Sequence, residues 1–286
     1  MGFGSVATLA AAVEDGKGTY ATWRKSPSQT TTIGVWFDLS MSPGNPVPQY
    51  YAATPLRAQA LAQSTDGGLF HGGAVAPMTK HLKRLTTLTA TATALPMPMI
   101  VADYLLFYPF VDEGTTDPQA LDNATALPRW PTGAGVQMMA VSVAGRTGGN
   151  TFQVTYTNSA GVAGRLTQVV AQNSVSVNGS IVTSDRAVAG ARGPWLPLQA
   201  GDTGVRSVQS VQMISGTDVG LFALVLARPL AQASLRGIGA PVENDYLLDF
   251  GQLPVIADDA YLNILACPSG SLAATALHGD IQTVWS

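Results

Sequence analysis

The residues most able to do chemistry lie in one acidic loop, residues 111–135. The loop carries four carboxylates and an amide at short spacing: Asp112, Glu113, Asp117, Asp122 and Asn123. Oxygen ligands this close could hold Ca²⁺, and two carboxylates could serve as a general acid and base, although the spacing of an EF-hand is absent. The alternative, which the sequence favours, is a solvated loop whose Asp and Asn side chains cap their own turns beside Pro118.

Histidine and cysteine offer little further chemistry. The three histidines, His71, His81 and His278, are far apart in sequence, and no Gly-x-Ser-x-Gly elbow marks a nucleophile near them. We interpret them as surface or hydrogen-bonded structural residues. The single cysteine, Cys267, excludes an intrachain disulfide framework and a cysteine-rich zinc site. We therefore predict no enzymatic activity, no cofactor and no metal site.

Tryptophans in loops are the remaining candidates for ligand binding. Trp130 and Trp195 each adjoin a proline, and Trp285 lies near the C-terminal end of the sequence. Exposed indole rings can stack on sugars, so these residues could form a carbohydrate platform. The alternative is that they close the core or contact another subunit, and the sequence favours this second interpretation.

Short β-strands are the elements that would position these loops. Residues 100–110 form a nearly unbroken apolar run flanked by Pro98 and Pro109, too short to span a membrane, which predicts a buried strand. A second apolar run covers residues 136–143. Residues 151–157 alternate apolar and polar side chains with a period of two, as a half-buried strand does.

Turn signals separate many more such runs. The glycine-rich residues 145–150 predict a hairpin between the second and third runs. Because repeated short strands occur without intervening helices, the sequence predicts a mainly β protein with a β-sandwich or jelly-roll-like body. The further predicted strands cover residues 88–94, 165–171, 174–183, 205–214, 221–227, 260–266 and 281–285.

The N-terminal segment has a different texture. Ser5 can cap a short helix that stops before Gly16. Residues 19–55 then combine five prolines with several aromatic side chains, which linkers rarely carry, and we interpret them as an extended proline-rich arm. The arm packs either on its own body or on a neighbouring subunit, and both interpretations stay open. We divide the chain into helix and arm at 1–75 and β-sandwich body at 76–286.

Charge is scarce in this sequence. Charged residues make up 12% of the 286 residues, about half the usual share for a soluble domain. A solitary protein normally covers itself with charges, so we predict that neighbouring molecules cover much of the surface. The net charge of -3 gives no reason to expect nucleic-acid binding. The sequence shows no membrane-spanning segment, and its one basic cluster, residues 80–84, is predicted to be solvated.

One family resemblance spans most of the chain. It is carried by the segments WRKS, WFDLSMSPGNPVPQYY, ADYLLFYPFVDEGTTDPQALDN, LPRWPTGAGVQ, TYTNSAGVAGR, PLQAGDTGVRSVQSV and HGDIQTVWS. These segments resemble structural proteins of tailed bacteriophage virions. The resemblance implies a virion component assembled in the host cytoplasm: a capsid-associated decoration or cement protein, or alternatively a neck or tail accessory or a host-attachment carbohydrate-binding protein. It transfers no catalytic residue.

Contacts with neighbours are expected to use aromatic residues of the arm and loops. The implied partners are further copies of this chain and the major capsid protein or other virion proteins, with no nucleic acid and no membrane. The predicted interface residues are Trp23, Trp36, Phe37, Tyr50, Tyr51, Trp130 and Trp195.

Overall fold

The computed structural model describes residues 3–185, 189–190 and 192–286, and it is mainly β, with 39% strand and 6% helix. Three antiparallel sheets and a short N-terminal helix make a β-sandwich-like body, which confirms the predicted fold class. The helices are α1 Val6–Glu14, the 3₁₀ helix Leu39–Met41 and α2 Gln63–Asp66.

The strands follow one another along the whole described chain. They are β1 Gly18–Lys25, β2 Phe37–Asp38, β3 Gly44–Asn45, β4 Gln59–Ala60, β5 Lys80–Thr89, β6 Met97–Asp112, β7 Gln119–Ala120, β8 Gln137–Ser142, β9 Thr151–Asn158, β10 Arg165–Leu166, β11 Val170–Ala171, β12 Val205–Met213, β13 Leu221–Leu235, β14 Val242–Asp245, β15 Val255–Ile256, β16 Leu262–Ala266 and β17 Leu277–Trp285.

The strands form three sheets. Sheet I has the order β14-β5-β17-β1-β3, with β15 also on β5. Sheet II has the order β2-β16-β6-β13-β8, with β4 also on β6. Sheet III has the order β10-β9-β12-β7, with β11 also on β9. Sheet II packs against both other sheets, because its long strands contribute to the core shared with each of them.

The long strands β6 and β13 connect two hydrophobic cores. Met99 and Val101, near the start of β6, are buried together with residues of sheet I. Leu106 and Tyr108, further along the same strand, are buried together with residues of sheet III. The opposite face of sheet II forms a third core, which the N-terminal segment covers. The same pair of strands thus supports all three cores.

The prolines predicted to flank the buried run do not bound it, because β6 contains both. Pro109 lies where the register between β6 and β13 shifts, between the pairs Tyr108 with Leu224 and Val111 with Phe222. A bulge leaves residues out of the hydrogen-bond ladder, so a proline without an amide hydrogen is tolerated there.

The N-terminal segment packs on its own chain. Ser5 caps α1 as predicted and forms a capping box with Thr8. β1 pairs with β17 along its whole length. The accessible surface of 11217 Å² agrees with the ~11,600 Å² expected for a compact monomer of this mass. These observations support the interpretation that the arm folds back. The division at residues 75 and 76 stays a prediction.

Three predicted local elements are wrong. Residues 145–150 do not form a hairpin, because β8 belongs to sheet II and β9 to sheet III. The alternating Thr and Ala residues of 88–94 leave the sheet after Thr89, where β5 ends. Residues 174–183 contain only isolated bridges, at Ser180 and Ile181. In each case the local pattern fits the predicted element, but the fold does not provide the strand pairing that the element needs.

Candidate interaction groove

The seven predicted interface residues lie in three environments. Trp23, Phe37 and Tyr51 are buried, with 3%, 0% and 0% of their surface exposed. Tyr50 is 57% exposed. The remaining three, Trp36, Trp130 and Trp195, are half-buried in loops.

The buried rings of the arm fill space left by glycines of the body. A Cβ atom at Gly279 on β17 would lie 2.6 Å from the Trp23 ring, and one at Gly179 would lie 2.7 Å from the Phe37 ring. Neither glycine could carry a side chain without displacing the aromatic ring. Trp23 and Phe37 therefore attach the arm to its own body.

Tyr51 belongs to a buried hydrogen-bond network around Asp38. The hydroxyls of Tyr51 and Ser40 both donate to the Asp38 carboxylate, and the Tyr104 hydroxyl donates to Asp38 Oδ1 at 2.9 Å. Burial raises the pKa of Asp38, and the hydrogen bonds from Ser40 and Tyr51 oppose that rise. Because Ser40 lies in the 3₁₀ helix and Tyr104 in β6, the network joins this helix to sheet II.

Trp130 is also engaged within the chain. Its indole Nε1 donates to Asp103 Oδ2 at 3.1 Å. Asp103 is buried and accepts two further hydrogen bonds from the guanidinium of Arg129, at 2.7 and 3.1 Å. The guanidinium of Arg228 lies 3.5 Å above the centre of the Trp130 ring. One face and the polar edge of this indole are therefore occupied, which leaves little room for a sugar.

Trp36 and Trp195 line a groove beside sheet II, which we call the aromatic groove. Two adjoining cavities, of about 600 and 340 Å³, share Ile100, Gln232 and Phe250 as lining residues. Trp36 lines the larger cavity and Trp195 the smaller one. Cavities of this size fall within the range that binds ligands or partner side chains.

One wall of the aromatic groove is held by hydrogen bonds to the backbone of β13. The Asn244 side-chain amide and the Tyr246 hydroxyl both donate to the Gln232 carbonyl, at 2.7 and 3.0 Å. The Phe250 ring stacks on the Tyr246 ring at 5.3 Å between centres. The Tyr246 hydroxyl is protonated at neutral pH and can donate, and burial raises its pKa further, to about 12.

The polar groups of the aromatic groove are mostly uncharged. The lining residues include Gln232, Ser234, Asn244 and Gln252, and the only charged one is Arg236. No carboxylate or histidine is among these lining residues. The arrangement suits the binding of apolar and neutral polar surface.

The acidic loop is divided between solvent and interior. Asp112 and Asp122 accept hydrogen bonds from the backbone of Gly114 and Ala124, at 2.7 and 2.9 Å, and so cap their own turns as predicted. Asn123 Oδ1 accepts from the Tyr108 hydroxyl at 2.8 Å.

Glu113 contradicts the prediction of a wholly solvated loop. It is fully buried and paired with the equally buried Arg146, with the closest contact at 2.9 Å. Arg146 Nη1 also donates to the Asn173 carbonyl at 2.7 Å. The pair therefore joins the acidic loop to the segments before β9 and after β11.

The basic cluster at residues 80–84 is also partly interior, contrary to prediction. Lys80 is 1% exposed, and its ammonium donates to His71 Nδ1 at 3.1 Å and to the Gly73 carbonyl at 2.6 Å. The Ala260 carbonyl can only accept, so His71 Nε2, 2.9 Å away, carries the proton. Burial, with a smaller contribution from Lys80, lowers the pKa of His71 to about 4. His71 is the hydrogen-bonded structural residue that the sequence indicates.

Several residues that organise the molecule escaped sequence reasoning. Their charges suggested surface positions, and only their apolar sequence surroundings could have signalled burial. They are Lys25, Asp38, Lys80, Asp103, Glu113, Arg129 and Arg146. The turn around Phe250, which forms one wall of the aromatic groove, also carried no sequence signal that we recognised.

Comparisons with known proteins do not assign the chain to a family. A scan against protein-family models and a search of curated proteins found no match. Among the described residues, no helix has the length and apolar character needed to cross a membrane. Within the same residues, no group of three or more His, Cys, Asp or Glu side chains is placed to hold a metal ion.

Proposed function

We propose that this protein is a non-enzymatic structural subunit of a tailed-phage virion that works by binding copies of itself and the capsid or other virion proteins. The observation that carries the proposal is the distribution of charge. Among the described residues seven charged side chains are buried, so the surface carries fewer charges than the already small number in the sequence. A surface of this kind is suited to contact with other proteins.

Exposed apolar side chains support the same proposal. Among the described residues, seventeen large hydrophobic side chains are at least 38% exposed, with Leu248 at 75% and Val219 at 70%. The arm is folded back, so its buried aromatics add nothing to this outer surface. We infer that contacts with neighbours use the folded surface, including Trp36, Trp195 and Tyr50, rather than an arm that clasps another subunit.

Within a virion, a decoration or cement role is our first choice, and a neck or tail accessory role is the alternative. The virion assignment itself is supported by the resemblance of the chain segments quoted above. A stable contact between this chain and a virion protein should bury more than ~1,000 Å². The apolar part of that area would contribute about 25 cal/mol per Å² to the free energy of binding.

Binding to empty capsids tests this proposal. The purified chain should co-sediment with capsids that lack it and should raise their resistance to heat or denaturant. Imaging of the intact particle would then distinguish the shell from the neck or tail. A chain that stays monomeric and binds neither capsids nor tails would refute the proposal.

Carbohydrate binding is a second candidate, because Trp195 lies in a groove lined by side-chain amides. Such amides can hydrogen-bond sugar hydroxyls while an indole ring stacks on the sugar face. A glycan array with Trp195→Ala tests it, and Tyr50→Ala, which alters an exposed aromatic residue that does not line the aromatic groove, is the matched control. Absence of glycan binding, or equal binding by both variants, removes this candidate.

A further inference from the structure

Exposed apolar side chains occur in two segments that also contribute lining residues to the aromatic groove. The turn at residues 246–251 forms one wall, and its Leu248, at 75% exposure, is the most exposed large hydrophobic residue in the described chain. Ile238, in the connection between β13 and β14, is 58% exposed. These two segments therefore contribute both to a recess and to apolar projections that could fill a recess.

Arg236 and Asp249 give this surface one positive and one negative charge. Arg236 lines the larger cavity, and its guanidinium has no hydrogen-bond or ion-pair partner among the described residues. Asp249 lies beside Leu248 in the exposed turn, and its Oδ2 accepts a hydrogen bond from the Asp245 amide at 2.7 Å. Arg236 and Asp249 are not within ion-pair distance of each other in one molecule. Each remains available to an opposite charge on a partner.

We propose that this surface binds the same surface of a second copy of the chain across a two-fold axis. In a two-fold interface, residue i of one copy contacts residue j of the other, and the reverse contact also forms. Leu248 of each copy would then enter the partner's aromatic groove beside Trp36 and Phe250, and Asp249 would approach the partner's Arg236. A single two-fold rotation would place each Leu248 in the partner's groove and each Asp249 near the partner's Arg236. The inference rests on the proposed function, because it identifies the surface through which copies of the subunit bind one another.

Sedimentation velocity over a range of protein concentrations tests the inference. The wild-type chain should show a reversible monomer–dimer equilibrium. Leu248→Ser should weaken the dimer about tenfold or more, because a buried leucine side chain contributes at least that much to association. Val219→Ser is the matched control: it removes an apolar side chain of similar exposure outside this surface and should leave the dimer unchanged.

Charge exchange provides the sharper test. Arg236→Asp and Asp249→Arg should each weaken the dimer, because each places like charges together twice in a two-fold interface. The double variant restores opposite charges at both places and should recover most of the lost affinity. Melting temperatures of all variants would show that the fold is kept.

The outcomes separate this inference from the proposed function. A wild-type chain that is monomeric at all concentrations, or a dimer that Leu248→Ser and the charge reversals leave intact, overturns the inference. If that chain still binds capsids, the proposed function stands without it. A dimer that responds as expected but binds no virion protein supports the inference and counts against the virion role.

Discussion

Trp130 and Trp195 occupy similar places in the sequence and opposite places in the molecule. Each lies in a loop next to a proline. Trp130 donates to a buried carboxylate and lies under a guanidinium, whereas among the described residues none accepts a hydrogen bond from the Trp195 indole. The first belongs to a polar interior with its partners inside the chain, and the second to an open groove. Whether a loop tryptophan is engaged within the chain or open to a partner therefore depends on the charged side chains that the fold places next to it.

Breaking the charged network beneath Trp130 should have the largest effect. Arg129→Ala leaves the buried Asp103 carboxylate without its bidentate partner, and we expect a loss of about 3–5 kcal/mol in the free energy of unfolding. Urea denaturation measures it. Arg57→Ala is the control, because its pair with Asp122 is exposed and should contribute less than about 0.5 kcal/mol. Equal effects of the two substitutions would contradict the structural role of the buried pair.

The stability of the polar interior should also depend on pH between about 4 and 6.5. The lining of the aromatic groove contains no carboxylate or histidine and should not contribute to this dependence. The pKa of His71 is about 4 in the folded chain and ordinarily 6.5, so between these values the unfolded chain takes up a proton that the folded chain does not. Stability should therefore fall as the pH drops from about 6.5 to about 4, by about 2–3 kcal/mol from this residue.

Denaturation at several pH values, compared with His71→Gln, measures this dependence. The variant cannot titrate at residue 71, so its stability should change less over the same pH window. Parallel curves for the two proteins would show that His71 is not the group responsible.

Conservative replacement of the two tryptophans compares the regions directly. Trp130→Phe removes the hydrogen bond to the buried Asp103 and weakens the contact with Arg228, which should cost about 1–3 kcal/mol. Trp195→Phe removes no hydrogen bond within the described chain and only part of the packing on the third core, so it should cost less than about 1 kcal/mol. Thermal melts of the two variants provide the measurement, and a larger cost at Trp195 would reverse the comparison.

The smallest effect is expected at Leu248, in the turn between two lining residues of the aromatic groove. Leu248 is mostly exposed, so Leu248→Ser should alter the stability of the monomer by less than about 0.5 kcal/mol. Denaturation at a protein concentration well below that at which copies associate makes the measurement. A loss above 1 kcal/mol would show that Leu248 stabilises its own turn and would weaken its assignment to contacts between copies.

The sequence predicted elements whose signal is local. The capping of α1 by Ser5 needs only neighbouring residues, and the alternation of 151–157 already distinguishes the two faces of β9. The hairpin at 145–150 was wrong because the choice of sheet for β8 and β9 depends on β13 and β12, distant in the chain.

Site prediction was limited by the same distance in sequence. Lys80 and Glu113 were expected in solvent, because their ionic partners, Asp258 and Arg146, are brought to them only by the fold. Trp36 and Trp195 were named as interface candidates, but Phe250 and Leu248 were not. A groove between strands that are far apart in sequence has no continuous motif.

The strands β6 and β13 take part in every core of the molecule, and this has a mechanical consequence. A domain with separate cores can lose one of them while the other persists, but here neither sandwich keeps its shared wall once these two strands separate. We therefore expect a single melting transition, with no stable half-molecule left behind. Force applied to one of the two sandwiches should be transmitted to the other along the continuous backbones of β6 and β13.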